Sequence, residues 1–259
     1  MSSLGYEYRG LMATTWDIWR DESFRWEDSV FFRDIVGQFG QPVLDVGCGT
    51  GRIVLDYLAE GVDCDGVDNS PEMLAICREK ALPKGLLPNL YEQTMERLDM
   101  PRHYRTILVP SSSFQLVIEP QEATEVMRRF FAHLQSGGAL IMPFGLIWKE
   151  EWTLQTDWML VFEKVRPIDG ANVRRRTRSR FSPEEQLWHS EDRYEVVQND
   201  TVITSEDHQR SAAGRWYTQA QAEQLYRDAG FNDVRLLRGF THTPASAEDS
   251  SFCVLGIKP

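Results

Sequence analysis

The run Val43-Leu44-Asp45-Val46-Gly47-Cys48-Gly49-Thr50-Gly51-Arg52 constrains this chain more than any other feature. Val43 to Val46 reads as a short buried strand. A tight glycine turn follows. From Arg52 to Glu60 the apolar residues Ile53, Tyr57 and Leu58 recur at helical spacing, and Gly61 closes that helix. Val62 to Val67 reads as the second strand, and Asp68 stands at its end, about 20 residues past the loop. In an open α/β sheet the ligand sits beyond the carboxyl ends of the strands, where an acid can accept both hydroxyls of a ribose. Glycines let the backbone pass close to such a ligand. The spacing is G-x-G-x-G, not the G-x-G-x-x-G that brings a helix N-terminus to a pyrophosphate. Asp45 just before the loop would repel a pyrophosphate but could serve a ligand carrying an ammonium group.

Strands and helices keep alternating beyond the loop. Trp26 to Phe39 has helical spacing through Val30, Phe31, Ile35, Val36 and Phe39, with Gly40 as its stop. Ser70 is a good N-cap, with Pro71 at the first helical position and Met73, Leu74 and Ile76 facing inward. Thr106–Val109 and Ala139–Phe144 read as further strands around a helix at 121–134, which Gly137-Gly138 is expected to end. Thr218 and Gln221 form a capping box, Gly230 stops the helix after it, and Val234–Phe240 and Phe252–Ile257 read as the last strands. Such alternation predicts a doubly wound, mostly parallel sheet. The rhythm breaks after about Leu146. Between Trp152 and Ser211 charged strands alternate with period two, and Asn199-Asp200 reads as a hairpin turn. The fold class is therefore α/β with an antiparallel β insertion. The expected segments are an N-terminal helical cap or lid at 1–40, a core at 41–150 and 213–259, and the insertion at 151–212 as an acceptor-side cover.

Composition narrows the function. The chain has 259 residues, 42% hydrophobic and 26% charged, enough to bury a core. Its net charge is −11, which argues against nucleic acid as the main partner. No stretch approaches the ~18 apolar residues of a membrane span, and the N-terminus lacks the pattern of a signal peptide. Cys48, Cys64, Cys77 and Cys253 form no C-x-x-C pair and have no histidine cluster beside them, so neither a metal site nor a disulfide framework is expected. A reducing cytoplasm fits.

On these residues the sequence resembles the class I S-adenosylmethionine-dependent methyltransferases. Val43 to Arg52 is similar to their first motif, Gly66 to Leu74 (Gly-Val-Asp-Asn-Ser-Pro-Glu-Met-Leu) to their second, and Trp216 to Phe231 to a common tail. The resemblance covers about Val43 to Phe144 and Tyr217 to Pro259. It implies a Rossmann-like fold and S-adenosylmethionine as cofactor, with S-adenosylhomocysteine as product. By position, Asp45 and the backbone of Gly47 and Gly49 would hold the methionine moiety. Asp68 would take the ribose hydroxyls, Asn69 and Met73 would line the adenosine, and Met95 would lie along the adenine. Val109 would close the cofactor side of the cleft. One departure stands out. Many relatives carry an Asp just before the Met95 position to bind the adenine amino group. Here that residue is Thr94, with Glu96 and Asp99 as nearby carboxylates.

The acceptor is expected over the turn Val109-Pro110-Ser111-Ser112-Ser113-Phe114-Gln115, where Ser112 and Ser113 could hydrogen-bond it. The same residues could simply be a Ser-rich turn. The resemblance also suggests that Trp16 and Trp19 wall the active site, as a similar aromatic-Asp-x-aromatic stretch does in small-molecule N-methyltransferases; burial against a sheet is the alternative. Arg174, Arg176, Arg178 and Arg180 alternate on one strand face, either as a clamp for an anion or as partners of Glu191, Asp192 and Glu195. His103, His133, His189, His208 and His242 are scattered, and no catalytic residue is assigned. The expected activity is methyl transfer to a small molecule, with nitrogen preferred because a neutral amine needs no general base. O-methylation of a phenol or carboxylate, and a non-catalytic cofactor-binding module, are the alternatives.

Overall fold

Local sequence sets most of the elements. In the computed structural model, which describes residues 6–20, 27–145, 148–149 and 151–259, the chain starts with two short helices, α1 (Leu11–Thr14) and α2 (Trp16–Trp19). Then come α3 (Asp28–Phe39), β1 (Val43–Val46), α4 (Arg52–Ala59), β2 (Cys64–Asp68), α5 (Pro71–Ala81) and β3 (Asn89–Glu92). They are followed by β4 (Tyr104–Leu108), α6 (Pro120–His133) and β5 (Leu134–Gly145). Four long strands come next, β6 (Met159–Val165), β7 (Asn172–Ser182), β8 (Leu187–Gln198) and β9 (Thr201–Arg215). The chain ends with α7 (Gln219–Ala229), β10 (Asp233–Arg238) and β11 (Ser251–Ile257).

These elements form two units. The α/β unit holds a seven-stranded sheet in the order β10-β11-β5-β4-β1-β2-β3. Strands β1 to β5 are parallel, and β11 pairs antiparallel with both β5 and β10. The strand order reverses at β1: β2 and β3 lie to one side, β4 and β5 to the other. Ligands in open α/β sheets bind at such a switch point, beyond the carboxyl ends of the diverging strands. Helix α6 turns Ala123, Val126, Met127 and Phe130 inward, and the Phe130 ring is fully buried, worth about 1.5–3 kcal/mol. Helix α3 is tied down at its end, where Arg105 Nε donates to Phe39 O and Thr106 Oγ1 donates to Gly40 O. Those bonds satisfy carbonyls that a helix terminus leaves open. Ser70 and Thr218 cap α5 and α7, the latter through a full capping box with Gln221.

The second unit packs α1 and α2 on an antiparallel sheet in the order β6-β7-β8-β9. Its core joins Leu11, Met12, Phe162, Val173, Tyr194 and Val196. Asn199 and Asp200 both have φ near +50 to +60°, and β8 and β9 pair directly across them, as the hairpin reading requires.

Three local expectations differ. Gly137-Gly138 does not end α6. The helix stops at His133, and the glycines sit inside β5 at a shift of its register against β4. A Cβ on Gly138 would come within 2.9 Å of the Arg105 carbonyl, so the bulge needs a glycine there. Val30 is exposed, and Phe32 joins Ile35 as a fully buried residue of α3 instead. Strand β3 carried too little apolar periodicity to be expected at all: Asn-Leu-Tyr-Glu is a partly exposed edge strand. Trp26 and Leu146, expected as boundaries, lie outside the described residues.

Candidate active site

The loop after β1 is shaped by its glycines. Gly47 has φ +71° and Gly49 φ +53°, both in the region that disfavours side chains. A Cβ on Gly49 would come within 3.1 Å of Met73 Cε, and one on Gly47 within 3.1 Å of Ser113 Oγ. The loop thus meets α5 on one side and the turn after β4 on the other.

Asp68 ends β2 and holds the loop. Its Oδ2 accepts from the Gly49 N–H at 2.8 Å, and its Oδ1 accepts from the Ser70 N–H at 2.9 Å. Burial pushes its carboxyl above the ordinary range, while those backbone bonds act in the opposite sense. Asn69 follows, with a buried Nδ2 that has no partner among the described residues. Pairing of β2 with β3 brings Thr94 and Met95 to the same end of the sheet: the Gln93 N–H donates to Asp68 O at 3.0 Å. Met95 is buried at the start of a short 3₁₀ turn, and Thr94 precedes it. Asp99 is exposed, and its N–H donates to Gln93 Oε1. Val109 is fully buried past the end of β4.

Asp45 is the one charged residue of β1 and is 1% exposed. One oxygen accepts from the Val54 N–H at 3.2 Å, in the first turn of α4. Gly51, the N-cap of α4, has no side chain to offer, so Asp45 caps that helix from the strand. The other oxygen, Oδ1, has no partner among the described residues. Burial raises its pKa to about 7, against the opposing charge of Arg52. A buried carboxylate with an open oxygen suits a cationic ligand.

The turn after β4 is strained. Ser111 and Ser112 both have φ +56°. Ser113 starts a 3₁₀ turn, and its Oγ donates to Pro110 O at 2.7 Å. Gln115, to which the sequence reading gave no separate role, is fully buried. Its side chain donates to Gly145 O and accepts from the Gly145 N–H, clamping the turn to the end of β5. A glutamine just after a Ser-rich strand end was the available signal. Burial pushes the Cys48 thiol well up, so it is no ready nucleophile.

Asp68, Asn69, Met73, Thr94, Met95, Gly47, Gly49 and Ser113 therefore gather around the β1 switch point. Trp16 and Trp19 belong to the other unit, where Trp19 stacks on Phe162 with centroids 5.7 Å apart. Two of the four arginines on that face of β7 follow the paired reading, Arg174 with Glu195 and Arg178 with Glu191, while Arg180 donates to Ser182 Oγ; Arg175, on the other face, meets Asp192, and all three ion pairs are 2.6 Å long. Among the described residues no group of histidine, cysteine or carboxylate residues could hold a metal. No described helix is long and apolar enough to cross a membrane.

Known proteins share this pattern. A family model described as a methyltransferase domain matches residues 43–138. A chain of Geobacillus sp. (strain WCH70) that carries a provisional methyltransferase name is 27% identical over 158 residues, 59% of this chain and 60% of that one. The ubiquinone biosynthesis O-methyltransferase of Pectobacterium carotovorum is 42% identical over 60 residues, 23% of this chain and 25% of that one. The glycine/sarcosine/dimethylglycine N-methyltransferase of Actinopolyspora halophila is 30% identical over 146 residues, 53% of this chain and 25% of that one. The chain thus spans between a quarter and 60% of the length of these relatives. Among solved structures, the CcbJ methyltransferase of Streptomyces caelestis has the same fold, with a TM-score of 0.77, 19% identity and coverage of 98% of this chain and 97% of that one. Fold and glycine loop define a Rossmann-like methyltransferase domain. Residues 43–138 thus match a methyltransferase domain, and the fold is that of S-adenosylmethionine-dependent methyltransferases, one of which was solved with the cofactor bound.

Proposed function

We propose that this protein is an enzyme that transfers a methyl group from S-adenosylmethionine to a nitrogen of a small-molecule acceptor. The observation that carries this reading is the approach of Ser113 Oγ to Gly47, which joins the donor loop to the strained Ser turn at the switch point. When bound, S-adenosylmethionine supplies an electrophilic methyl group on a sulfonium, open to in-line attack by a lone pair. The chain's task is then mainly positioning. Asp68 accepts the ribose hydroxyls with lone pairs not used by Gly49 and Ser70. The open Oδ1 of Asp45 serves the ammonium of the methionine moiety, with the backbone of Gly47 and Gly49 alongside. Asn69 Nδ2 faces a polar atom of the adenosine, with Met73, Met95 and Val109 as apolar walls and Thr94 near the adenine edge. Ser112 and Ser113 orient the acceptor.

Nitrogen is favoured because four of the five histidines are engaged in hydrogen bonds of their own. The His133 ring bonds Met100 N and Arg129 O, His208 meets Glu206, His242 meets Asp34, and His189 meets Ser211. A neutral amine attacks with its own lone pair, whereas a hydroxyl usually needs a base. O-methylation is the second reading, favoured by the Pectobacterium relative. Turnover with methyl-labelled donor, screened across small amines, phenols and carboxylic acids, decides between them. Label in an amine product is expected; label only in phenols or acids would overturn the nitrogen reading, and none in any class the enzymatic one.

A further inference from the structure

We propose that His133 is a positioning residue for the adenine side of the donor site. Neutral, with its proton on Nδ1, it fastens to α6 the segment that carries Thr94 and Met95. The role rests on the reading that places those two residues beside the adenine of S-adenosylmethionine. That segment, 93–103 between β3 and β4, contains only one short 3₁₀ turn, Met95–Arg97, so its shape depends on outside support. It closes on itself through Gln93, whose Oε1 accepts from the Asp99 N–H at 2.8 Å and whose Nε2 donates to Asp99 O at 3.1 Å. The Gln93 N–H bond to Asp68 O joins its start to β2.

Helix α6 holds the other end. Met95, Leu98 and Met100 are buried in one apolar cluster with Val126, Met127 and Phe130. Arg129 and His133 stand one turn apart on one face of α6 and add two directional bonds. Arg129 Nη1 donates to Leu98 O at 2.9 Å, and the Met100 N–H donates to His133 Nε2 at 3.0 Å. Apolar contacts tolerate sliding; two bonds to backbone atoms two residues apart fix where the segment sits. The tautomer follows from the second bond. A ring nitrogen that accepts carries no proton, so the proton is on Nδ1, which lies 2.8 Å from Arg129 O and donates to it. The Arg129 carbonyl therefore orients the imidazole, and the imidazole orients the segment. Leucine in place of His133 would leave the Met100 N–H, in a residue only 6% exposed, without this acceptor. Glutamine could present Oε1 where Nε2 now stands.

Nuclear magnetic resonance and calorimetry on the full chain at pH 8 test it, with S-adenosylhomocysteine as the probe. In the free protein the His133 ring should show a bare Nε2 and a protonated Nδ1, with a scalar coupling across the bond from the Met100 N–H to Nε2. The probe should move the amides of residues 95–100 saturably while that coupling persists. His133→Leu should weaken probe binding about fivefold or more, the scale of one buried donor left unpaired. His133→Gln should bring it back to within about twofold of wild type. His103→Gln, at an exposed ring whose centroid is 6.2 Å from that of His133, should leave it unchanged. If His133→Leu does not fold, the wild-type coupling and amide shifts still decide. Four results overturn the positioning role and leave the donor site standing: a proton on Nε2, unmoved amides at 95–100 when the probe binds, normal binding by folded His133→Leu, or equal loss in His133→Leu and His133→Gln. No binding by wild type, or binding that leaves the Gly47 and Gly49 amides unmoved, overturns the donor reading and this role with it.

Discussion

The Oδ2 atom of Asp68 accepts a hydrogen bond from the Gly49 N–H at 2.8 Å, tying the end of β2 to the glycine loop after β1. One carboxylate thus shapes the loop and, in the proposed reading, binds the ribose. Asp68→Ala removes both roles. Affinity for S-adenosylhomocysteine should fall by about 1–3 kcal/mol, the cost of losing hydrogen bonds to a charged group. Calorimetry measures this directly, with circular dichroism to confirm that the variant is folded. Unchanged affinity would show that Asp68 only braces the loop.

Gly49→Val probes the loop itself. The position has φ +53°, and a Cβ there sits 3.1 Å from Met73 Cε, so a branched side chain meets both backbone strain and a close neighbour. The strain alone should cost about 1–3 kcal/mol of stability. Donor binding should be lost while far-ultraviolet dichroism is retained. A folded Gly49→Val protein that binds S-adenosylhomocysteine normally would place the donor elsewhere.

The elements around the glycine loop were legible in sequence because they are local. Strand β1, the loop, α4, β2 and the cap of α5 follow one another, and each carries its own signal in apolar period, glycine or capping residue. Asp45 was visible as an acid in an apolar strand, but its bond to Val54 was not, since nothing local says which helix N-terminus a strand residue will face. The Gly47–Ser113 contact was hidden for a related reason. It joins residues 66 positions apart, and only the parallel pairing of β4 with β1 creates it. Edge strand β3 was missed because two of its four residues are exposed and polar. The β8–β9 bulge was hidden because a slip in register depends on both strands at once.

Asp45 predicts a pH dependence. Its folded pKa, raised to about 7, lies above the 3.8 of an ordinary aspartate. Between those values the folded state holds a proton that the unfolded state has released. Stability therefore falls as pH rises from about 4 to about 7, by at most a few kcal/mol at roughly 1.4 kcal/mol per pKa unit. Asp45→Asn should flatten this slope in urea unfolding and leave the protein more stable than wild type near pH 8. Donor binding should respond in the opposite sense. An ammonium beside Asp45 favours the carboxylate, so wild-type affinity for S-adenosylhomocysteine should rise from pH 6 to pH 8, and Asp45→Asn should bind weakly with no such rise. Parallel pH profiles in the two proteins would remove Asp45 from the donor site.

The two tryptophans should separate by what they touch. Trp19 stacks on Phe162 with 9° between the ring planes, and the Arg20 guanidinium lies 3.5 Å from the Trp19 centroid. Trp16 meets Tyr8 and Trp19 edge-on. Helices α1 and α2 are four residues each with no side-chain cap, too short to be stable alone, so their order depends on such contacts. Trp19→Ala should therefore lower stability by about 2 kcal/mol, less than a fully buried tryptophan because the ring is only partly covered. A double-mutant cycle with Phe162→Ala should give a coupling of about 0.5–1.5 kcal/mol, the range of aromatic pairs. Among the described residues Trp16 has no stacked aromatic partner on the sheet, so Trp16→Ala should cost less stability. If it acts on the acceptor side, it should lower turnover of labelled donor by more than its effect on melting explains. Zero coupling between Trp19 and Phe162 would undo the anchoring role of Trp19, and a Trp16→Ala variant with normal turnover would remove Trp16 from the acceptor site.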